Sequence, residues 1–391
     1  MRSQRYLTVN ILLVEPDYYT RYPPLGLLKI AAYHRIQGDR VRLVRGCVKV
    51  RPKPDRVYVT SLFTWAWRPV WKAVRYYKGI FPEVEVWLGG LYATLMPDHA
   101  RKSGADVVYE GLFKEAEDLM PAYDLVPEWD GSIVFASRGC NRRCPYCAVW
   151  RIEGSINSCK RSIKHLVWPR HTRIILWDNN ILQSPYWREI FEELIWFSTV
   201  KGMKIDFNQG LDARLITEEV AELLSKMKLL CVRISYDHLS MRRYVKRAIE
   251  LLASHGIRRR SILVYMLYNF QDTPDNLFER MRDILHWGAV AYPMRYEPLN
   301  ALERWKHVAP GWDAERLERV EDFRRVYGYG GTFPPYRWLV KRFEKAKCFD
   351  EAFKLPKPGE HAKRVRKPYH ASWQRERDWR QVVERFLAKR W

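Results

Sequence analysis

Short apolar, β-branched runs alternate along the chain with longer stretches whose apolar positions recur three and four residues apart. In the first third, Val9–Val14 reads as a buried strand and Leu25–Gln37 as a helix with Leu27, Leu28, Ile30, Ala31 and Ile36 on its apolar stripe. Strands are predicted at Val41–Val44, Arg56–Thr60, Val84–Leu88 and Asp106–Tyr109, with a helix over Pro69–Lys78. This alternation predicts an α/β fold whose N-terminal part is a doubly wound parallel sheet with helices on both faces. Ligands bind such sheets beyond the carboxyl ends of the strands. Pro24-Leu25-Gly26, Ser61-Leu62-Phe63 and Gly89-Gly90-Leu91-Tyr92-Ala93-Thr94 fall there.

From Ser132 the same alternation continues through six strand candidates: Ser132–Ala136, Arg173–Trp177, Lys204–Phe207, Leu230–Ser235, Ser261–Met266 and Ala289–Met294. Helical patterns lie between them at Tyr186–Thr199, Thr217–Lys226, Met241–His255 and Pro274–His286. Thr217 followed by Glu218 and Glu219 is an N-cap with acid in the first turn. Polar residues gather just after these strands: Asp178 and Asn179, then Asn208 and Arg214, then Asp237, with Arg295 a further pocket candidate.

The most specific signal follows the first of the six strands. Ser137-Arg-Gly-Cys-Asn-Arg-Arg-Cys-Pro-Tyr-Cys147 places Cys140, Cys144 and Cys147 in a C-x3-C-x2-C spacing. Three thiols so close cannot all pair as disulfides, and such clusters hold zinc or an iron–sulfur centre. A structural zinc site wants four ligands, commonly as two C-x2-C knuckles, and the chain has no second knuckle. Three ligands fit a [4Fe–4S] cluster with one iron left open, and a zinc clip is the alternative.

This motif, with Tyr146 before its last cysteine, resembles the radical S-adenosylmethionine (SAM) superfamily. The resemblance implies that Cys140, Cys144 and Cys147 hold a catalytic [4Fe–4S] cluster whose open iron binds SAM. An electron from an external reductant, such as ferredoxin or flavodoxin, then cleaves SAM to a 5′-deoxyadenosyl radical. It also implies that the six βα units form a partial (β/α)6 barrel with its chemistry at the carboxyl ends of the strands. Asp178 and Asn179 would then accept from the SAM ammonium, Arg214 would pair with its carboxylate, Asp237 would take a ribose hydroxyl, and Asn208 would complete the pocket. "YMLYNFQDTP" resembles the family's segment after the fifth strand but lacks both of its glycines and its first proline.

The segments "PPLGLLKIAAY", "GGLYAT" and "GADVVYEG" resemble, in order, the cobalamin-binding domain that precedes many radical SAM cores. That implies a Rossmann-type domain binding cobalamin near Ser61, Gly89, Gly90 and Thr94, and methyl transfer as the outcome. The D-x-H-x-x-G motif that supplies a lower axial histidine is absent; the matching loop reads Glu15-Pro-Asp-Tyr-Tyr-Thr20. The expected layout is a cobalamin-binding-like domain over 1–125, a radical SAM core over 126–297 and a mostly helical, basic extension over 298–391.

Charge changes the picture of the partner. With 68 Lys and Arg against 45 Asp and Glu, the 391-residue chain carries +23. A charge-rich thermophilic surface would explain many charges but not a one-sided balance. The excess favours a polyanion, RNA first, as substrate or docking partner. Residues 341–391 hold 16 Lys and Arg against 7 Asp and Glu, interleaved with Trp373, Trp379 and Trp391. Seven cysteines in no regular framework point to a reducing cytoplasm, and no apolar run approaches a membrane span. Two other classes remain open. One is a cobalamin-independent radical SAM modifier of nucleic acid, of the methylthiotransferase kind. The other is a non-enzymatic iron–sulfur protein that binds nucleic acid. Cys231 is expected to be a buried small apolar residue.

Overall fold

The computed structural model describes residues 8–355. The expected basic tail, including Lys363, Arg364, Arg366, Lys367, Trp373, Trp379 and Trp391, lies outside the described residues. The chain forms two compact units. One runs up to Glu193 and includes Glu297–Lys306; the other holds Leu194–Tyr296 and the described residues from His307 on.

The first unit begins with β1 (Asn10–Glu15), α1 (Leu25–Ile36), β2 (Arg40–Arg45), β3 (Arg56–Ser61), α2 (Trp67–Ile80) and β4 (Glu85–Gly90). The short helices α3 (Leu91–Leu95) and α4 (Pro97–Arg101) lead to β5 (Val107–Val108). The sheet order is β2-β1-β3-β4-β5, with every neighbour parallel. Side chains alternate across each strand, so the sheet buries two faces. Leu12, Val14, Val57, Val59, Val86 and Leu88 pack on Val70, Val74 and Tyr77 of α2, and Ile11, Leu13 and Tyr58 pack with Leu27 and Ala31 of α1. β6 (Gly131–Val134), α5 (Val149–Ile152) and β7 (Arg173–Leu176) follow, and β6 and β7 pair in parallel. α6 (Trp187–Thr199) contains the division between the units.

The second unit contains β8 (Lys204–Phe207), α7 (Glu218–Ser225), β9 (Val232–Ser235), α8 (Arg242–Ser254), β10 (Ile262–Tyr268), α9 (Pro274–His286) and β11 (Val290–Arg295). β9, β10 and β11 form a parallel sheet. The predicted N-cap is present: Thr217 accepts from the Val220 N–H, and Thr273 does the same at Asn276. α10 (Ala314–Tyr327), α11 (Arg337–Lys345) and α12 (Phe349–Ala352) complete the unit. Phe323 packs against Phe333, Phe343 and Phe353, and Phe343 stacks on Phe278 of α9 at 5.9 Å. The described part of the extension is therefore core-forming. Parallel sheets joined by helices agree with the α/β class expected.

Glu297–Lys306 folds onto the first unit at the carboxyl edge of its five-stranded sheet. Thr64 Oγ1 donates to the Ala301 carbonyl at 2.6 Å, and Trp67 Nε1 to that of Leu302 at 3.2 Å. Among the described residues no helix is long and apolar enough to cross a membrane.

Candidate active site at the cysteine loop

The loop after β6 is built from below by acids and amides. Asp178, just past β7, accepts from the backbone N–H groups of Ala136 at 3.0 Å and Ser137 at 2.6 Å, and from Ser137 Oγ at 2.7 Å. The residue is 4% exposed. Burial pushes its carboxyl up to about 6, against the pull of those hydrogen bonds. Arg138 is buried, donates to Glu117 at 2.8 Å and Glu153 at 3.2 Å, and lies over the Phe135 ring. Lys29 of α1 reaches the same Glu117, and burial pushes its amine down to about 8.

Glu153 is the hinge of the arrangement. It accepts from the Gly139 N–H at 2.8 Å and from Asn179 Nδ2 at 2.9 Å as well as from Arg138. Gly139 has φ +74°, and a Cβ there would stand 2.2 Å from the Ser155 carbonyl oxygen, so only glycine fits. The Cys140 N–H donates to Gly154 O at 3.1 Å. The Cys140 sulfur is buried and receives the Arg142 N–H at 3.3 Å and Asn180 Nδ2 at 3.6 Å. Asn141 is tied at its N–H to Gln183 and at its Oδ1 to Ile156. A turn closes from the Cys147 N–H to Cys144 O at 3.0 Å, and Trp150 Nε1 donates to the same carbonyl. Tyr146 is half-buried on this turn.

Cys140, Cys144 and Cys147 are free thiols. Among the described residues no three His, Cys, Asp or Glu side chains are gathered closely enough to hold a metal ion as they stand. The donor set nevertheless fits an iron–sulfur cluster. Amide N–H groups directed at a cysteine sulfur favour its thiolate, the form that binds iron. The sequence brings Asp178 and Asn179 to this loop as expected at a strand end. It gave no sign of Glu153, Glu117, Lys29 or Gln183, whose partners lie far along the chain and obey no spacing rule.

Ser61, Gly89, Gly90 and Thr94 also come together, at the carboxyl edge of the five-stranded sheet. Ser61 Oγ donates to Gly89 O at 2.7 Å and accepts from the Ala93 N–H; Thr94 Oγ1 donates to Gly90 O and accepts from the Gly111 N–H. Gly90 has φ +99°, and a Cβ there would meet the Ser61 carbonyl oxygen at 2.1 Å. This edge is glycine- and backbone-lined. The close approach at Gly90 is to the neighbouring strand, and the Glu15–Thr20 loop after β1 offers no histidine to a cobalt. Glu15, at the same edge, is buried, and its carboxyl is pushed up to about 7 although Arg45 opposes the shift.

In the second unit Asn208 and Arg214 follow β8, and Asp237 follows β9. Arg214 is held on Asp212 through Nε at 2.7 Å and Nη2 at 3.0 Å. Tyr265 reaches the Asn208 carbonyl at 3.5 Å, and Asp237 accepts from the Leu267 N–H at 2.8 Å. Arg295 Nη2 donates to His307 O. Cys231 is buried, which pushes its thiol up to about 12, as suits an inert core residue.

A separate cavity of about 430 Å³ lies at the amino ends of β1 and β3, walled by Tyr33, Tyr58, Trp87 and Phe113, and contains none of the residues singled out from the sequence.

No protein-family profile matches the chain, and no curated protein does either. Solved structures do. A radical S-adenosylmethionine methyltransferase, TsrM from Kitasatospora setae, with tryptophan substrate and the SAM analogue aza-SAM bound, aligns with a TM-score of 0.58 and 12% identity over 82% of this chain and 77% of that one. The same enzyme with cobalamin and a [4Fe–4S] cluster bound aligns at 0.56 and 12% identity over 82% and 76%. In fold, this chain is similar to a radical SAM methyltransferase.

Proposed function

We propose that the chain is a radical SAM enzyme that methylates, or otherwise functionalises at a C–H bond, a polyanionic substrate, RNA first. The observation that carries the reading is the cysteine loop, whose backbone is held by Asp178 and Glu153 and whose Cys140 sulfur receives two N–H groups. The fold it shares with TsrM supports the same class. In this reading Cys140, Cys144 and Cys147 hold a [4Fe–4S] cluster, and 126–297 is the radical SAM core. When bound and reduced by a ferredoxin- or flavodoxin-type donor, the cluster supplies the electron that cleaves SAM. Tyr146 lies beside it. Asp178 and Asn179 fix the loop, a role that uses the contacts they already make; the ammonium contact expected from the sequence is the alternative that SAM affinity decides. Arg214, pre-oriented by Asp212, is assigned the SAM carboxylate, with Asn208 and Asp237 as further polar contacts to SAM. Cobalamin binds along Ser61, Gly89, Gly90 and Thr94. A reducing cytoplasm suits these free thiols.

Anaerobic reconstitution tests the reading. About one [4Fe–4S] cluster per chain and release of 5′-deoxyadenosine from SAM are expected, and Cys140→Ala, Cys144→Ala or Cys147→Ala should abolish both. Stoichiometric zinc with no iron uptake would defeat it. SAM turnover eliminates the non-enzymatic iron–sulfur alternative. The engaged hydroxyls of Ser61 and Thr94 favour, as a second reading, a cobalamin-independent modifier. A cobalamin spectrum that survives desalting excludes it.

A further inference from the structure

The carboxyl edge of the five-stranded sheet carries an aromatic and cationic surface that none of the roles above uses. Phe63 and Trp65 follow β3 and stack with ring centroids 4.7 Å apart and 10° between planes. On α2, Arg68, Lys72 and Arg75 are all exposed and stand four and three residues apart, so they form one stripe. The helix contains no Asp or Glu. The Arg68 and Arg75 guanidinium groups lie over Trp67 and Trp71 at 4.7 and 4.9 Å. Those two indoles are anchored by their N–H groups, on Leu302 O and Tyr92 OH.

The segment Glu297–Lys306 extends this surface. Arg304 stands 5.7 Å from the Trp65 ring and 4.5 Å from that of Trp305. Trp305 is 41% exposed and has φ +70°, a left-handed backbone that a bulky residue rarely adopts. A strained backbone that presents an aromatic ring to solvent points to a use for the ring. Glu303 is the acid of this segment that comes near the stripe, 3.9 Å from Arg68 with both side chains exposed. An ordinary solvated helix face mixes signs; this one is cationic with rings between the charges. Arginine-flanked aromatic rings beside a row of cations form a platform for unpaired bases and their phosphates.

We propose that this surface binds single-stranded RNA, with bases on Trp65 and Trp305 and phosphates on Arg68, Lys72, Arg75 and Arg304. The inference rests on the RNA reading above and says where the strand docks. A single strand is specified because stacking needs bases free of a duplex.

The test is fluorescence anisotropy of the full chain with a labelled single-stranded RNA of mixed sequence across a salt series. The triple variant R68Q/K72Q/R75Q should reduce the slope of log affinity against log salt by about 2, at roughly 0.7 for each phosphate no longer neutralised. Trp305→Ala and Trp65→Ala should each weaken binding about tenfold at fixed salt while leaving the slope unchanged, and Trp305→Phe should retain most of the affinity. Unchanged thermal melting separates these effects from misfolding. RNA binding that none of these variants alters would overturn the surface and leave the RNA reading standing. No RNA binding by the wild type at low salt would overturn both. Equal affinity for duplex RNA with the same variant profile would remove the stacking role and so the proposal.

Discussion

Asp178 is buried under the cysteine loop with its carboxyl raised from 3.8 to about 6. The folded protein therefore holds this proton more tightly than the unfolded chain does. Its contribution to stability is full below about pH 4 and is lost as pH rises to about 6, a difference of about 3 kcal/mol at most. Urea melts at pH 4.5 and 7 should show wild type gaining on Asp178→Asn at the lower pH; an unchanged gap would mean that the carboxyl titrates normally. Asp178→Ala should also lower iron retention, because two loop N–H groups lose their acceptor. If iron content stays normal and SAM affinity falls instead, the ammonium role is the right one. For Arg214→Ala, removal of a charge-assisted hydrogen bond predicts roughly 1.5–3 kcal/mol in SAM binding, about a ten- to hundredfold rise in Kd.

At the scale of the element, the turn into the cysteine loop depends on Gly139. Gly139→Ala would drive a Cβ against the Ser155 carbonyl, so iron uptake should fail while far-UV circular dichroism is preserved. Normal iron content in that variant would show that the loop can reroute. Arg280 of α9 is 0% exposed and joins the strand ends, donating to the carbonyls of Tyr236 and Leu267 and to Asp272. Arg280→Met leaves Asp272 buried without its cation and should cost about 3–5 kcal/mol; pairing it with Asp272→Asn should recover part of that in thermal melts. Among the described residues, the strands and the long helices between them were legible because most bury a stripe or a face of β-branched and aliphatic residues. Helices of four or five residues, such as α3, α5 and α12, are too short to show a period. The "YMLYNFQDTP" segment shows the limit on the site side. In this glycine-free segment Asn269 takes φ +65°, and Asp272 closes the turn on the Asn269 and Phe270 N–H groups. The absence of glycine suggests a different turn, yet asparagine tolerates the same left-handed backbone. The position of Asp178 at a strand end was likewise readable, whereas the direction of its carboxylate was set by a loop forty residues earlier.

For the molecule as a whole, the C-terminal helices are structural rather than appended. Phe353 packs on Phe323, Phe343 and Phe349, so Phe353→Ala should cost about 3–5 kcal/mol, and chains ended before α10 should not yield a stable second unit. The segment Glu297–Lys306 has a consequence in time. Thr64 and Trp67 find their acceptors in Ala301 and Leu302, 237 and 235 residues later in the chain. At roughly 5–20 residues per second of synthesis, that leaves the edge of the first sheet open on the order of ten seconds or longer after its strands have emerged. The unit that begins to fold first is therefore closed only after every strand of the second unit has emerged, and a nascent chain stalled before residue 300 would expose Trp65 and Trp67 as a sticky, unfinished rim.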